Sequence, residues 1–211
     1  MARVPPVPRE EVPELEDAFA PVEERMGFLP NSMLTMAHRP EILRAVAGLT
    51  QVARRGTVSP ELKELVALVA SRAAGCRYCQ AHTASNATRK GAHAQKIAKV
   101  WSYETSDLFT DAERAALRLA HHAAVVPNAA TDEDFEVLRR YFDDGEVVEL
   151  MTMIALFGFL NRWNDTLATD LEATPLDLAS AVIGPVGWEP GKHAHTPAPG
   201  SAGRSGSVAK K

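Results

Sequence analysis

The chain has 211 residues, 45% of them apolar and 24% charged, and 23 basic side chains against 27 acidic ones leave a net charge of −4. That balance fits an ordinary globular protein and lacks the basic footprint of a nucleic-acid binder. The longest apolar run, residues 151–160, is too short to cross a bilayer, and prolines break up the start, so no membrane partner, no nucleic-acid partner and a cytoplasmic location are expected.

Helical periodicity dominates and strand alternation is absent, which makes the expected fold class all-α. Residues 1–13 read as a flexible, proline-broken arm and residues 14–26 as a short helix that Pro21 interrupts. A turn at Pro30-Asn31, a short helix and a longer one from Pro40 to Arg55 follow. Ser59, Pro60 and Glu61 then open a well-punctuated helix, and Gly75 fits its left-handed end. Within it Leu62, Leu65, Val66, Val69 and Ala73 share one apolar face.

The next helix is expected from Cys76 to about Lys90, stopped by Gly91. Thr110–Glu113 fits a capping box before a helix that runs to Pro127, and another helix follows Thr131. The segment from 146 to 167 is apolar nearly all round, as suits a core or an interface between subunits; Phe157 and Phe159 are its expected exposed positions. Residues 14–184 thus form the helical domain. From Pro185 to Lys211 the chain is rich in Gly, Pro, Ala and Ser and is expected to be a disordered tail, with His193 and His195 in it as incidental residues. His121 and His122 receive no role.

Both cysteines lie in Gly75–Thr83, "GCRYCQAHT". Cys76, Cys79 and His82 are three residues apart, so they form a stripe on one helix face. A helix N-terminus and a neighbouring base both favour a thiolate, and a second thiol one turn away can condense with an oxidised first one to give a disulfide. An external dithiol could then restore the pair. Three readings stay open on these residues: redox chemistry, a partial zinc site, or two packed inert thiols. A closed zinc site would need a fourth ligand, and the sequence has no second cysteine pair.

The stretch "ELVALVASRAAGCRYCQAHTASNA" resembles the signature of the alkylhydroperoxidase D (AhpD) and carboxymuconolactone decarboxylase family: a glutamate, here Glu64, twelve residues before a Cys-x-x-Cys pair that a histidine follows. Residues 27–43 and 146–172 are similar to flanking segments of small members. The resemblance implies an AhpD-like helical bundle assembled as a homo-oligomer, trimer or hexamer. It also implies a thiol peroxidase cycle without haem, flavin or metal, with a small hydroperoxide as substrate and an external dithiol or thiol protein as reductant. Carried over by position, Cys79 attacks the peroxide, and Cys76 resolves it and meets the reductant. His82 and Glu64 relay the proton away from Cys79.

One position departs from the pattern. The family's histidine usually stands four residues after the second cysteine, where this chain has Thr83. Branches that decarboxylate a muconolactone lack the cysteine pair, so its presence here argues against that reaction. The alternatives to a peroxidase are a thiol–disulfide exchange protein or redox sensor, and a non-catalytic helical oligomer with a zinc-binding or inert thiol pair.

Overall fold

In the computed structural model, which describes residues 2–194, ten α-helices and a few 3-10 turns make up the regular structure, and no strand occurs among the described residues. The helices are α1 Glu16–Met26, α2 Asn31–Met36, α3 Pro40–Ala53, α4 Pro60–Ala73 and α5 Arg77–Arg89. There follow α6 Ala94–Ala98, α7 Asp111–Ala124, α8 Asp132–Leu138, α9 Asp144–Leu167 and α10 Ala173–Val182. No helix among the described residues is long and apolar enough to cross a membrane.

Helix α4 is the centre of the bundle, with α5, α7 and α9 packed around it. The Ser59 hydroxyl accepts from the Leu62 N–H at 3.2 Å, and Pro60 occupies the first turn, where a missing N–H costs nothing. Leu65, Val66 and Leu68 are fully buried. Burial extends beyond the apolar face to Lys63 and Glu64, because neighbouring helices wrap α4 on several sides. Each buried charge has a partner: Lys63 Nζ meets Glu149 at 2.7 Å, and Glu64 Oε1 meets Arg54 Nε at 3.1 Å. Gly75, at φ +76°, turns the chain out of α4 and directly into α5.

Capping boxes open α7, α8 and α9. Asp134 in the second of these also takes a 2.8 Å contact from His122 Nδ1, a structural pairing that links α7 to α8. Helix α1 continues through Pro21. Phe157, expected at an exposed position, is instead 4% exposed and faces inward, whereas Phe159 is 42% exposed. Residues two apart on a helix point about 200° apart, so the two could not share a surface.

Both ends of the described chain pack more closely than their composition suggests. Val12 is buried, and the Arg3 and Val7 N–H groups donate to the carbonyls of Leu167 and Leu34. Residues 185–194, expected within the disordered tail, fold back over the domain. Trp188 is buried and its Nε1–H donates to the Arg77 carbonyl, while His193, in the 3-10 turn Gly191–His193, is 0% exposed. The Arg77 guanidinium also donates to the Glu189 carbonyl, the Leu171 N–H to the His193 carbonyl, and Lys192 pairs with Asp165, which together anchor this glycine- and proline-rich segment. The rest of the expected tail, with His195, lies outside the described residues.

Candidate active site

The cysteine pair stands at the junction of α4 and α5. Cys76 is the N-cap of α5, and its Sγ accepts from the Cys79 N–H at 3.4 Å. Cys79 is therefore at the third helical position, with its backbone N–H already engaged. Both thiols are free and buried. They differ in outlook: Cys79 lines a cavity of about 280 Å³, whereas Cys76 does not. Cys76, expected to meet the reductant, has no exposed surface in the resting chain.

The cavity lies between α1–α3 on one side and α5 and α9 on the other. Met33, Met36, Leu43 and Phe157 give it an apolar wall, and Tyr78, Cys79, His82 and Asn164 form a polar patch in it. Arg25 and Arg54 also line it. An apolar chamber with a few convergent polar groups is the usual form of a small-molecule site.

The carboxylate hydrogen-bonded to His82 is Glu172, not Glu64, the acid expected to share a relay with it. His82 Nε2 lies 2.7 Å from Glu172 Oε2, while Glu64 holds Arg54. Burial pushes the Glu172 carboxyl up, but the His82 charge and hydrogen bond and the Asn31 N–H more than offset it and hold it below the ordinary carboxylate value. An ionised carboxylate only accepts, so His82 Nε2 carries a hydrogen, and whenever the ring is neutral its lone pair is on Nδ1.

The other Glu172 oxygen accepts from the Tyr78 hydroxyl at 2.9 Å and from the Asn31 N–H at the start of α2. Tyr78 also stacks on the His82 ring at 4.3 Å. Burial, and next the Glu172 charge, push the Tyr78 hydroxyl well above its ordinary range, so it stays a donor. Glu172 reaches the site because Ala168, left-handed at φ 50°, ends α9 and turns the chain back toward α5.

Cys79 is pushed toward its protonated form, against the expectation that a helix start and a neighbouring base favour a thiolate. Burial pushes its thiol well above the ordinary value, and the adjacent Cys76 sulfur adds to the rise. The Asn164 side-chain amide, 3.6 Å from Cys79 Sγ, opposes this. The physical reason is that Cys76, not Cys79, caps the helix, while Cys79 is enclosed by protein. A nucleophilic role for this sulfur would therefore need a base to take its proton. Thr83, at the position where the family usually has its histidine, is fully buried, and its hydroxyl donates to the Cys79 carbonyl at 2.8 Å.

A second group gathers on the Cys76 side. Cys76 Sγ, an Asp165 carboxylate oxygen and a His193 ring nitrogen all lie within 4.8 Å of one another. Cys76, Cys79 and His82, the metal donors considered from their spacing, are divided by the fold: His82 goes to Glu172, while Asp165 and His193 stand near Cys76.

Residues 40–122 match the model of the carboxymuconolactone decarboxylase family. The debrominase Bmp8, solved as a Cys→Ala variant with 2,3,4-tribromopyrrole, superposes with a TM-score of 0.80 at 36% identity, over 85% of this chain and 96% of that one. The chain belongs to the carboxymuconolactone decarboxylase family. Its AhpD-like fold also matches an AhpD-core, peroxidase-related protein of Ralstonia eutropha JMP134, at TM-score 0.74 and 23% identity over 82% of this chain and 94% of that one. The Bacillus subtilis (strain 168) protein YdfG is 25% identical over 59% of this chain and 84% of its own length. Within this family fold, the sequence pattern points to Glu64, Cys76, Cys79 and His82, whereas the places of Glu172, Asn164, Asp165 and the Tyr78 hydroxyl are visible only in the structure. Glu172 is ninety residues from His82, and no local spacing points to it.

Proposed function

We propose that the protein is a thiol-dependent reductase of small apolar electrophiles, with organic hydroperoxides as its substrate class. The observation that carries this reading is a buried thiol, Cys79, opening onto an apolar cavity with His82 and a second thiol close by. As the Cys79 sulfur attacks the terminal peroxide oxygen, its proton leaves through His82, which Glu172 orients and whose imidazolium Glu172 would stabilise. The O–O bond breaks, the alkoxide takes up the proton as an alcohol, and Cys79 becomes a sulfenic acid. Cys76 then attacks that sulfur, releasing water and forming the disulfide, which an external dithiol reduces.

A second reading is favoured by the likeness to debrominase Bmp8. The same thiol pair can reduce a carbon–bromine bond: Cys79 takes the bromine as a sulfenyl bromide, and the carbon left behind is protonated. Cys76 then displaces bromide to give the same disulfide. Two thiols are oxidised and one carbon is reduced in this case, as one peroxide is in the first.

The deciding experiment supplies dithiothreitol with either cumene hydroperoxide or a bromopyrrole, and follows peroxide loss, bromide release and thiol count. Peroxide consumption that Cys79→Ser abolishes supports the first reading; bromide release alone selects the second. A disulfide that cycles with neither acceptor would leave a thiol–disulfide exchange protein. The reading includes a homo-oligomer built partly on the exposed side of α9, where Val148 and Phe159 face outward. Phe159→Asp should lower the mass seen by light scattering, and an unchanged mass would remove that face from the assembly.

A further inference from the structure

We propose that His193 is the proton acceptor of Cys76, so that each thiol of the pair is served by its own histidine–carboxylate dyad: His82 with Glu172 on the cavity side, and His193 with Asp165 behind it. The inference rests on the thiol-reductase reading for its chemistry, but on separate residues for its geometry.

His193 is fully buried, and its Nδ1 lies 2.8 Å from the Thr169 carbonyl. A carbonyl can only accept, so Nδ1 carries a hydrogen and the lone pair of the neutral ring is on Nε2. That nitrogen makes no hydrogen bond although it is shut off from solvent. Its nearest charged neighbour is Asp165 Oδ1 at 3.5 Å. A buried ring nitrogen that faces a carboxylate without a well-formed hydrogen bond calls for an explanation. The Cys76 sulfur, within 4.8 Å of both groups, supplies one: it is the nearby thiol with a proton to give.

The electrostatics suit that role. Burial lowers the proton affinity of His193, and the Thr169 carbonyl and Asp165 oppose it only in part, so the ring is neutral near pH 7 and free to accept. The other groups facing this ring are Lys192, whose Nζ holds Asp165 Oδ2 at 2.7 Å, and the Tyr78 ring at 5.9 Å. Once a proton arrives, Asp165 stabilises the imidazolium. Cys76 is readied as well, since its sulfur already accepts the Cys79 N–H at the opening of α5.

The step is disulfide formation. With Cys79 oxidised to a sulfenic acid, the Cys76 S–H proton passes to His193 Nε2 and the Cys76 sulfur attacks the Cys79 sulfur. The S–O bond breaks, and the departing hydroxide recovers that proton as water. His193 ends neutral, the two thiols have lost two electrons, and these were taken by the peroxide.

The test uses the full chain and two substitutions. His193→Gln keeps an amide that can donate to Thr169 but supplies no base; Asp165→Asn alters the dyad from a partly exposed position and covers the case in which the buried change does not fold. After one equivalent of cumene hydroperoxide, each variant should form the disulfide at least about tenfold more slowly and accumulate a dimedone-trappable sulfenic acid at Cys79. In a Cys79→Ser background, His193→Gln should move the pH profile of Cys76 alkylation to more alkaline pH. Unchanged disulfide rates together with superimposable profiles would overturn the inference. So would stoichiometric zinc that survives dialysis and is lost in His193→Gln, because the cluster would then be a metal site. If peroxide leaves Cys79 of the parent protein unoxidised, the peroxidase reading falls, and the alkylation profiles decide the role of His193 by themselves.

Discussion

His82 and Glu172 are 90 residues apart in the chain and meet at 2.7 Å, with the Tyr78 hydroxyl on the other oxygen of the same carboxylate. This one carboxylate ties α5, the start of α2 and the start of α10 together. It thereby fixes which ring nitrogen of His82 is free. Glu64, the acid that the signature brings forward, instead neutralises Arg54 near the cavity wall.

Glu172→Gln should therefore cost more turnover than Glu64→Gln. Loss of the Glu172 charge removes both the orientation of His82 and the stabilisation of its imidazolium, an effect of roughly 100-fold on kcat/KM. Steady-state kinetics with cumene hydroperoxide check the order. A larger loss in Glu64→Gln would return the relay to Glu64.

Asn164 lowers the Cys79 proton affinity against burial. In Asn164→Ala the thiol should rise further, and the limb of the pH–rate profile that reports it should move to higher pH. For every pH unit that the limb moves, the rate at neutral pH should fall about tenfold. Asn164→Asp should be slower still, because a carboxylate beside the sulfur opposes a second negative charge. A profile of Asn164→Ala identical to that of the parent would remove the amide from the chemistry.

Stability should fall in mild acid through His193. Its folded form binds a proton less readily than the ordinary imidazole value of 6.5, so the unfolded chain takes up a proton first as the pH drops. The sign follows: this contribution is complete above pH 6.5 and is lost as the pH falls from there through the folded value. Urea midpoints measured above and below this window should differ more in the parent than in His193→Gln, in which the group no longer titrates. Equal pH slopes in the two proteins would contradict the assignment.

Lys63→Met tests the buried ion pair that pins the loop before α4. Lys63 is 1% exposed, and its ammonium is shared between Glu149 and the Arg55 carbonyl. Glu149 also accepts the N–H groups of Thr57 and Val58, and presses so close to Gly56 that a Cβ there would lie 2.0 Å from its Oε1. Removal of one partner should cost about 3 kcal/mol in urea unfolding, because Glu149 is left as a partly buried, less compensated charge. A change under about 0.5 kcal/mol, the range of neutral surface substitutions, would show that the loop holds without the pair.

Much of the architecture follows from local signals. Ser59-Pro60, the Thr110–Glu113 box and Gly75 mark their helix ends through hydrogen bonds and dihedral limits that involve only a few consecutive residues, and each stands where those signals put it. The Cys76–Cys79–His82 stripe is equally local, since helical spacing alone brings the three together. Phe157 is different. A helix that is apolar on every side carries no record of which side faces inward, and only the packing of α9 in the bundle shows that this ring lines the cavity.

By itself, the sequence determined an all-helical chain with a paired thiol at the head of a helix, because caps, periodicity and short-range spacing are properties of neighbouring residues. The tertiary structure alone decided which acid serves which base. Asp165 comes to Cys76 through the packing of α9, Glu172 reaches His82 only after α9 ends at Ala168, and His193 reaches Cys76 only because the segment around Trp188 folds back over α5. Ion pairing and burial act across space, and chain separation leaves no trace of them in the order of the residues.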